Sequence, residues 1–332
     1  MNTLKLMDGL NRHIDYLRLS VTDRCDFRCV YCMAPEMKFL PKHQLLSSEE
    51  LIRVVRLFVE MGIKKVRLTG GEPLIRQGVV KLCRQIAVLP GLNELTMTTN
   101  GSHLALWANE LAGGGVKRIN ISLDSLCQNT FKVMTRVGNL QSVLAGINAA
   151  RQAGFASIKL NSVILKGIND HEVLSLVDFA VDHGIDISFI EEMPIGRVGR
   201  SRQESYYSSD EVFQQIIQRY RLIETVEQTG GPAKYLRILD YPLTRIGLIS
   251  PHSHNFCSSC NRVRVTADGR LLLCLGHENS LDLCNLLRDS SVTDSQIQDA
   301  IRVALWRKPE KHELYTYDEE FRPVRFMSAV GG

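Results

Sequence analysis

Six of the nine cysteines in this 332-residue chain fall into two spaced triads. Cys25, Cys29 and Cys32 form C-x3-C-x2-C in the stretch TDRCDFRCVYCMAP, directly after a short β-rich run. Three thiolates on one loop suit an iron–sulfur cluster. Such a cluster ordinarily takes four protein ligands, so a set of three leaves one iron open to an outside group. The competing readings are a zinc knuckle completed by a residue such as His43, or cysteines that only pack, although the spacing is unusual for zinc. Cys257, Cys260 and Cys274 form C-x2-C-x13-C in FCSSCNRVRVTADGRLLLC, the last at the end of a hairpin predicted through Ala267–Asp268–Gly269. Spacing alone favours a zinc ribbon here, with His252, His254 and His277 all close in sequence. Cys83, Cys127 and Cys284 belong to neither set, and the first two fall in predicted helical stretches where they read as buried small hydrophobes.

The second chemical pattern is cationic. Arg18, Arg67 and Lys159 lie within predicted parallel strands, where both faces are normally buried and a lone cation is costly unless it meets an anion. Salt bridges to Asp124, Glu72 or Glu191 would meet that cost, and so would a bound anion. With Arg262 and Arg264 added, five cations converging on one face make a triphosphate a fitting partner, because guanidinium groups bind phosphate oxygens bidentately.

The elements that must position these residues follow a simple alternation. Short β-rich runs at Tyr16–Ser20, Lys65–Thr69, Glu94–Thr99, Arg118–Leu123, Ser157–Val163 and Asp186–Glu191 are separated by gaps that can each hold a helix. Leu51, Val54, Val55, Phe58 and Met61 recur at helical spacing behind a capped start at Ser48, and similar patterns occupy Val79–Val88, Leu104–Leu111, Val143–Ala153 and Val173–His183. Six β-then-α units predict an α/β fold with a parallel sheet curved into an incomplete (βα)6 TIM-type barrel. The alternation breaks near Pro194, which divides the chain into a partial barrel over residues 1–193 and a smaller mixed α+β region over residues 194–332 that closes the barrel. In that region PIGRVGRSRQE reads as a loop, with Arg197, Arg200 and Arg202 solvated, followed by helices near Asp210–Tyr220, Leu283–Leu287 and Asp294–Trp306. Ligands of such barrels sit at the C-terminal strand ends, where Thr98, Ser122, Lys159 and Met193 fall.

Bulk properties narrow the class. The chain is 44% hydrophobic and 23% charged, enough to bury a large core. Its net charge of +4 is too mild for wrapping nucleic acid. No apolar run reaches the length of a membrane span and the N-terminus lacks a signal-peptide core, so a cytoplasmic protein is expected, with cysteines serving metal or redox chemistry.

The first triad together with LTGGEPL at Leu68–Leu74 resembles the radical S-adenosylmethionine superfamily. That resemblance implies a 4Fe–4S cluster on Cys25, Cys29 and Cys32 whose open iron binds S-adenosylmethionine and reductively cleaves it, with Tyr31 and Gly71 contacting the cofactor. Gly70 and Gly71 lack side chains that would block a ligand's approach to the backbone. The second triad, with NRVR at Asn261–Arg264, YLRLSVTDRC, MTTNG, INISLDSL, FIEEMPIG and the closing Val330–Gly331–Gly332, is similar to the GTP 3′,8-cyclase family over the whole chain. This implies a second 4Fe–4S cluster on Cys257, Cys260 and Cys274 that binds the guanine of GTP, replacing the zinc reading. It further implies S-adenosylmethionine contacts at Ser122 and Met193, and GTP contacts at Arg18, Arg67, Thr98, Lys159, Arg262, Val263 and Arg264. Arg262 and Arg264 are also expected to serve the chemistry by stabilising charge in the final reduction. The implied partners are an external electron donor and a downstream cyclic pyranopterin monophosphate synthase, around a monomer or homodimer. Gly331 and Gly332 read as a frayed end on general grounds, and as a tail entering the active site on the resemblance. A radical peptide maturase, or a non-catalytic iron–sulfur or zinc protein, is the alternative.

Overall fold

The computed structural model describes residues 5–196, 198–227, 229–314 and 325–331. Its strands form one twelve-stranded sheet in the order β12-β11-β10-β1-β2-β3-β4-β5-β6-β9-β8-β7. The first six, β1 (Tyr16–Ser20), β2 (Lys65–Thr69), β3 (Glu94–Thr99), β4 (Val116–Ser122), β5 (Ser157–Ile164) and β6 (Asp186–Glu191), lie in chain order and pair in parallel. Each of the six predicted strands is present within two residues of its expected bounds. The sheet is open, with β7 (Leu222–Glu224) and β12 (Ser280–Asp282) at its edges.

Alternating with the strands are α1 (Ser48–Glu60), α2 (Val79–Ala87), α3 (Leu104–Gly113), α4 (Gln128–Thr135), α5 (Leu140–Gln152) and α6 (Val173–His183). The α1 cap is Ser47, one residue before the predicted start: its hydroxyl accepts from Glu50 N–H while the Glu50 carboxylate accepts from Ser47 N–H. Behind this box Leu51, Val54, Val55 and Phe58 bury against the sheet. Helix α4 matches the helical stretch expected at Cys127, whose bounds the sequence leaves open because only Phe131, Met134 and Thr135 of its eight residues are buried and the apolar stripe is short.

Past Pro194 come α7 (Arg202–Ser205), α8 (Ser209–Ile216), β8 (Lys234–Ile238), β9 (Tyr241–Ile249), β10 (Arg262–Val265), β11 (Arg270–Leu272), α9 (Leu283–Arg288), α10 (Asp294–Leu305) and α11 (Met327–Val330). Two of these strands join the parallel array from opposite ends of the chain order: β10 pairs with β1 and β9 with β6, both in parallel. The sheet therefore runs unbroken across residue 194, and the second cysteine segment is carried to the flank of the first strand.

The parallel strands are not apolar on both faces. In YLRLS, KVRLT and RVRV, aliphatic residues alternate with cations or tyrosine. Leu17, Leu19, Val66, Leu68, Val263 and Val265 belong to the one large apolar core with the helices. Their neighbours at period two face the other way, onto a cavity.

Candidate active site

The cavity is lined by all six triad cysteines, by Tyr31, Gly71, Thr98, Ser122 and Met193, and by Arg18, Arg67, Lys159, Arg262, Val263 and Arg264. It also takes in Tyr16, Lys65, Asn120, Asn161 and Lys308, which the sequence reading passed over. Register explains the convergence of the cations. Arg18 stands opposite Arg67 on β2 and Arg264 on β10, and Tyr16 stands opposite Lys65 and Arg262, so three adjacent strands present two cross-strand rows. Lys159 is the third of eight residues in β5 and not at its C-terminal end, so these cations stand along the strands and not only at their mouths.

The acids suggested as their partners are engaged elsewhere. Glu72 accepts from Leu74 N–H, Thr99 Oγ1 and Asn100 N–H at 2.6–2.9 Å. Asp124 accepts from Tyr31 Oη at 2.8 Å and Val163 N–H at 2.9 Å, and Glu191 from the backbone of Ser209, His252 and Ser253. Two further acids close in sequence to Arg262 and Arg264, Asp268 and Glu278, are likewise paired, with Arg270 and Arg325. Instead, Arg67 Nε lies 2.5 Å from the Tyr16 hydroxyl, Lys159 Nζ lies 3.1 Å from the Tyr235 hydroxyl, and the Arg262 guanidinium sits 5.2 Å over the Phe256 ring. Burial lowers Arg264 well below the usual arginine range, and Arg18 and Arg262 push it further. Burial likewise lowers Arg18 to about 10, with Arg67 and Arg262 adding to it and Tyr16 opposing. Burial by itself would raise the Tyr16 phenol, but Arg67, Arg18 and Lys65 outweigh it and bring it down to about 7. A face this crowded with like charge is built for a polyanion.

The cysteine loop is fixed by backbone pairing with the turn after β2. Gly71 N–H donates to Thr22 O and Glu72 N–H to Arg24 O, both at 2.8 Å. A Cβ on Gly71 would come within 2.2 Å of Arg24 O, and one on Gly70 within 2.7 Å of Thr22 O. The glycines are thus demanded by the loop's own backbone, a different reason from the ligand approach expected of them. Burial pushes Cys29 well up, with Asp124, Cys32 and Cys25 adding to it, and Cys32 up to about 12. Their deprotonation calls for a bound metal's charge. At the second triad, burial would raise Cys260, but Arg262 and Lys308 bring it down to about 7.

All nine cysteines are free thiols, and among the described residues no group of three His, Cys, Asp or Glu is drawn together as a single metal ion requires. The histidines considered for zinc are occupied: His252 Nε2 pairs with Glu192 O, His254 with Asp210 and His277 with Lys311 O, while His43 is exposed. Two cysteine triads without histidine fit clusters that leave one iron open. Cys83 is buried, as expected, but Cys127 is exposed at the start of α4.

The chain's end reaches this cavity. Gly331 O accepts from Arg264 at 2.5 Å and from Arg18 at 3.2 Å, and a Cβ on Gly331 would meet Thr69 Oγ1 at 2.1 Å. Gly332 and Arg197 lie outside the described residues. Arg200 and Arg202 are not solvated: Arg202 is buried, and both pair with the buried Glu192 carboxylate at 2.5 and 3.0 Å. No helix among the described residues is long and apolar enough to cross a membrane.

Fold and loop chemistry place the chain among radical S-adenosylmethionine proteins: residues 19–180 match the Radical SAM superfamily. The fold also matches Streptococcus suis SuiB, with a TM-score of 0.59 at 16% identity over 94% of this chain and 76% of that one. Residues 185–314 match Molybdenum Cofactor Synthesis C. The chain is 59% identical to GTP 3′,8-cyclase 1 of Pseudomonas aeruginosa over 98% of its length and 99% of the relative's. It is 56% identical to GTP 3′,8-cyclase of Pseudomonas putida over 100% of its length and 99% of the relative's. The chain belongs to the GTP 3′,8-cyclase family.

Proposed function

We propose that this enzyme converts GTP to (8S)-3′,8-cyclo-7,8-dihydroguanosine 5′-triphosphate, the first step of molybdenum cofactor synthesis. The observation that carries the reading is a face of five cations, Arg18, Arg67, Lys159, Arg262 and Arg264, sharing one cavity with two cysteine triads. Cys25, Cys29 and Cys32 would hold one 4Fe–4S cluster and Cys257, Cys260 and Cys274 the other. When bound, the first supplies the electron that opens the S-adenosylmethionine sulfonium to give a hydrogen-abstracting radical.

The chain's own residues bind and orient. Arg18, Arg67, Arg262 and Arg264 grip the triphosphate, Lys159 and Thr98 complete that contact, and Val263 packs behind it. Tyr31, Gly71, Ser122 and Met193 line the S-adenosylmethionine side of the cavity. Arg262 and Arg264, rigid on β10, stabilise negative charge as the cyclised nucleotide is reduced. In this reading residues 1–193 are an incomplete (βα)6 barrel and residues 194–332 the region that closes it. The enzyme acts in the cytoplasm as a monomer or homodimer, takes electrons from an external donor and passes its product to cyclic pyranopterin monophosphate synthase. Anaerobic incubation with S-adenosylmethionine, GTP and dithionite should yield 5′-deoxyadenosine and the cyclised nucleotide in step. Cleavage of S-adenosylmethionine with GTP recovered unchanged would refute the assignment.

A further inference from the structure

Lys308, three residues beyond α10, is 5% exposed. Its ammonium donates to Arg262 O at 3.0 Å and to Leu273 O, and no carboxylate pairs with it among the described residues. Two carbonyls satisfy two of three donors but do not cancel the charge, and a buried ammonium without an anion costs several kcal/mol. The carbonyls it holds identify where that anion belongs. Arg262 lies two residues after Cys260 and Leu273 immediately precedes Cys274, so the ammonium bridges the backbone of the two arms that carry these cysteines, and it lines the same cavity as they do.

The neighbouring Arg12 provides the contrast. Its guanidinium donates to Cys257 O, Pro309 O and Glu310 O at 2.7–2.9 Å, latching the segment after α10 onto Cys257, the remaining cysteine of the triad. Its charge, however, is met by Asp8 at 2.6 Å. Arg12 holds geometry with its charge neutralised, whereas Lys308 holds the backbone beside Cys260 and Cys274 and is paired with no carboxylate among the described residues.

We propose that Lys308 is the fixed counter-charge of the cluster held by Cys257, Cys260 and Cys274, a positioning residue that stabilises the cluster's more reduced, more anionic form. This rests on those cysteines holding a 4Fe–4S cluster. A cation beside cluster sulfurs raises the reduction potential without touching substrate.

The test uses the full chain carrying Cys25, Cys29 and Cys32 replaced by Ala, so that one cluster remains. Lys308→Met and Lys308→Arg are compared in that background by iron content, apoprotein thermal stability and spectroscopic redox titration. The Met variant should show about a tenfold lower reduced-to-oxidised ratio at fixed potential, equivalent to 59 mV for one electron. The Arg variant should titrate with the parent. Loss of the cluster in the Met variant alone also supports a counter-charge role. Equal potentials in parent and Met variant at full iron, or the same loss in Met and Arg variants, would overturn it. Zinc without iron in the parent background would instead refute the cluster reading beneath it.

Discussion

Replacing Arg264 by Met separates a substrate-binding cation from a structural brace, because the two roles predict opposite changes in the ligand-free protein. Arg264 is half-buried with its guanidinium desolvated, and its charge is disfavoured first by that desolvation and then by Arg18 and Arg262. Its protonated form is therefore a cost to the empty protein. The substitution loses the hydrogen bond to Gly331 O, worth roughly 1.5–3 kcal/mol for a charged donor, but also removes a desolvated charge beside two others, whose presence costs several kcal/mol for the ion and more for the repulsion. The second effect is the larger, so the ligand-free variant should melt at or above the parent temperature. Binding changes the other way. A charge-assisted contact to phosphate contributes roughly 1.5–3 kcal/mol, so the Kd for GTP should rise about ten- to a hundredfold. Where GTP at about 1,000 times the parent Kd stabilises the parent by about 4.1 kcal/mol, the same concentration would stabilise a variant with tenfold weaker binding by about 2.7 kcal/mol. Thermal denaturation with and without GTP, on protein of matched iron content, reads both. A lower melting point without ligand together with an unchanged GTP-induced shift would refute the reasoning and make Arg264 a brace.

Gly71→Ala should push the Cys25 loop off the β2 turn, because its Cβ would sit 2.2 Å from Arg24 O; overpacking of this kind costs about 1–3 kcal/mol. Iron should fall from about eight per chain to about four, and retention of all eight would show that the loop yields freely. Replacing Cys25, Cys29 and Cys32 together by Ala should abolish S-adenosylmethionine cleavage even without GTP, and residual uncoupled cleavage would mean that the triads are wrongly assigned. For Tyr16 the folded-state phenol sits at about 7 against an ordinary 10.0, a depressed acid. Its stabilisation is therefore complete above the unfolded value and is lost as pH falls through 7. Denaturation across that window should show the rise in stability with pH for the parent and not for Tyr16→Phe; identical profiles would exclude a tyrosinate among the cations.

The strands were legible because their chemistry is local: β-branched and aliphatic runs of five to eight residues, each followed by a helix-period stripe, define β1 to β6 almost residue for residue. The cation site was half legible for the same reason. Arg18 and Arg67 stood out as charges in strands and Arg262 and Arg264 by their place just after Cys260, yet Tyr16 and Lys65 lie two positions before Arg18 and Arg67 on the same faces, and period-two alternation alone links each pair. Reading YLRLS, KVRLT and RVRV as one-sided strands would have found all six. What no local pattern carried is how β10 comes to lie beside β1, since some 240 residues separate them and the pairing has no signature but the finished sheet. Lys308 and the Arg202–Glu192 pair were opaque for that reason: each looks solvated in sequence, and its burial follows from segments that meet only after the sheet is assembled. The same long-range pairing explains why the site needs both halves of the chain. β1 and β2 supply Arg18 and Arg67, but they meet Arg264 and the second triad only through β10, so losing that one pairing would part Arg18 and Arg67 from Arg264 and from Cys257, Cys260 and Cys274 at a single stroke.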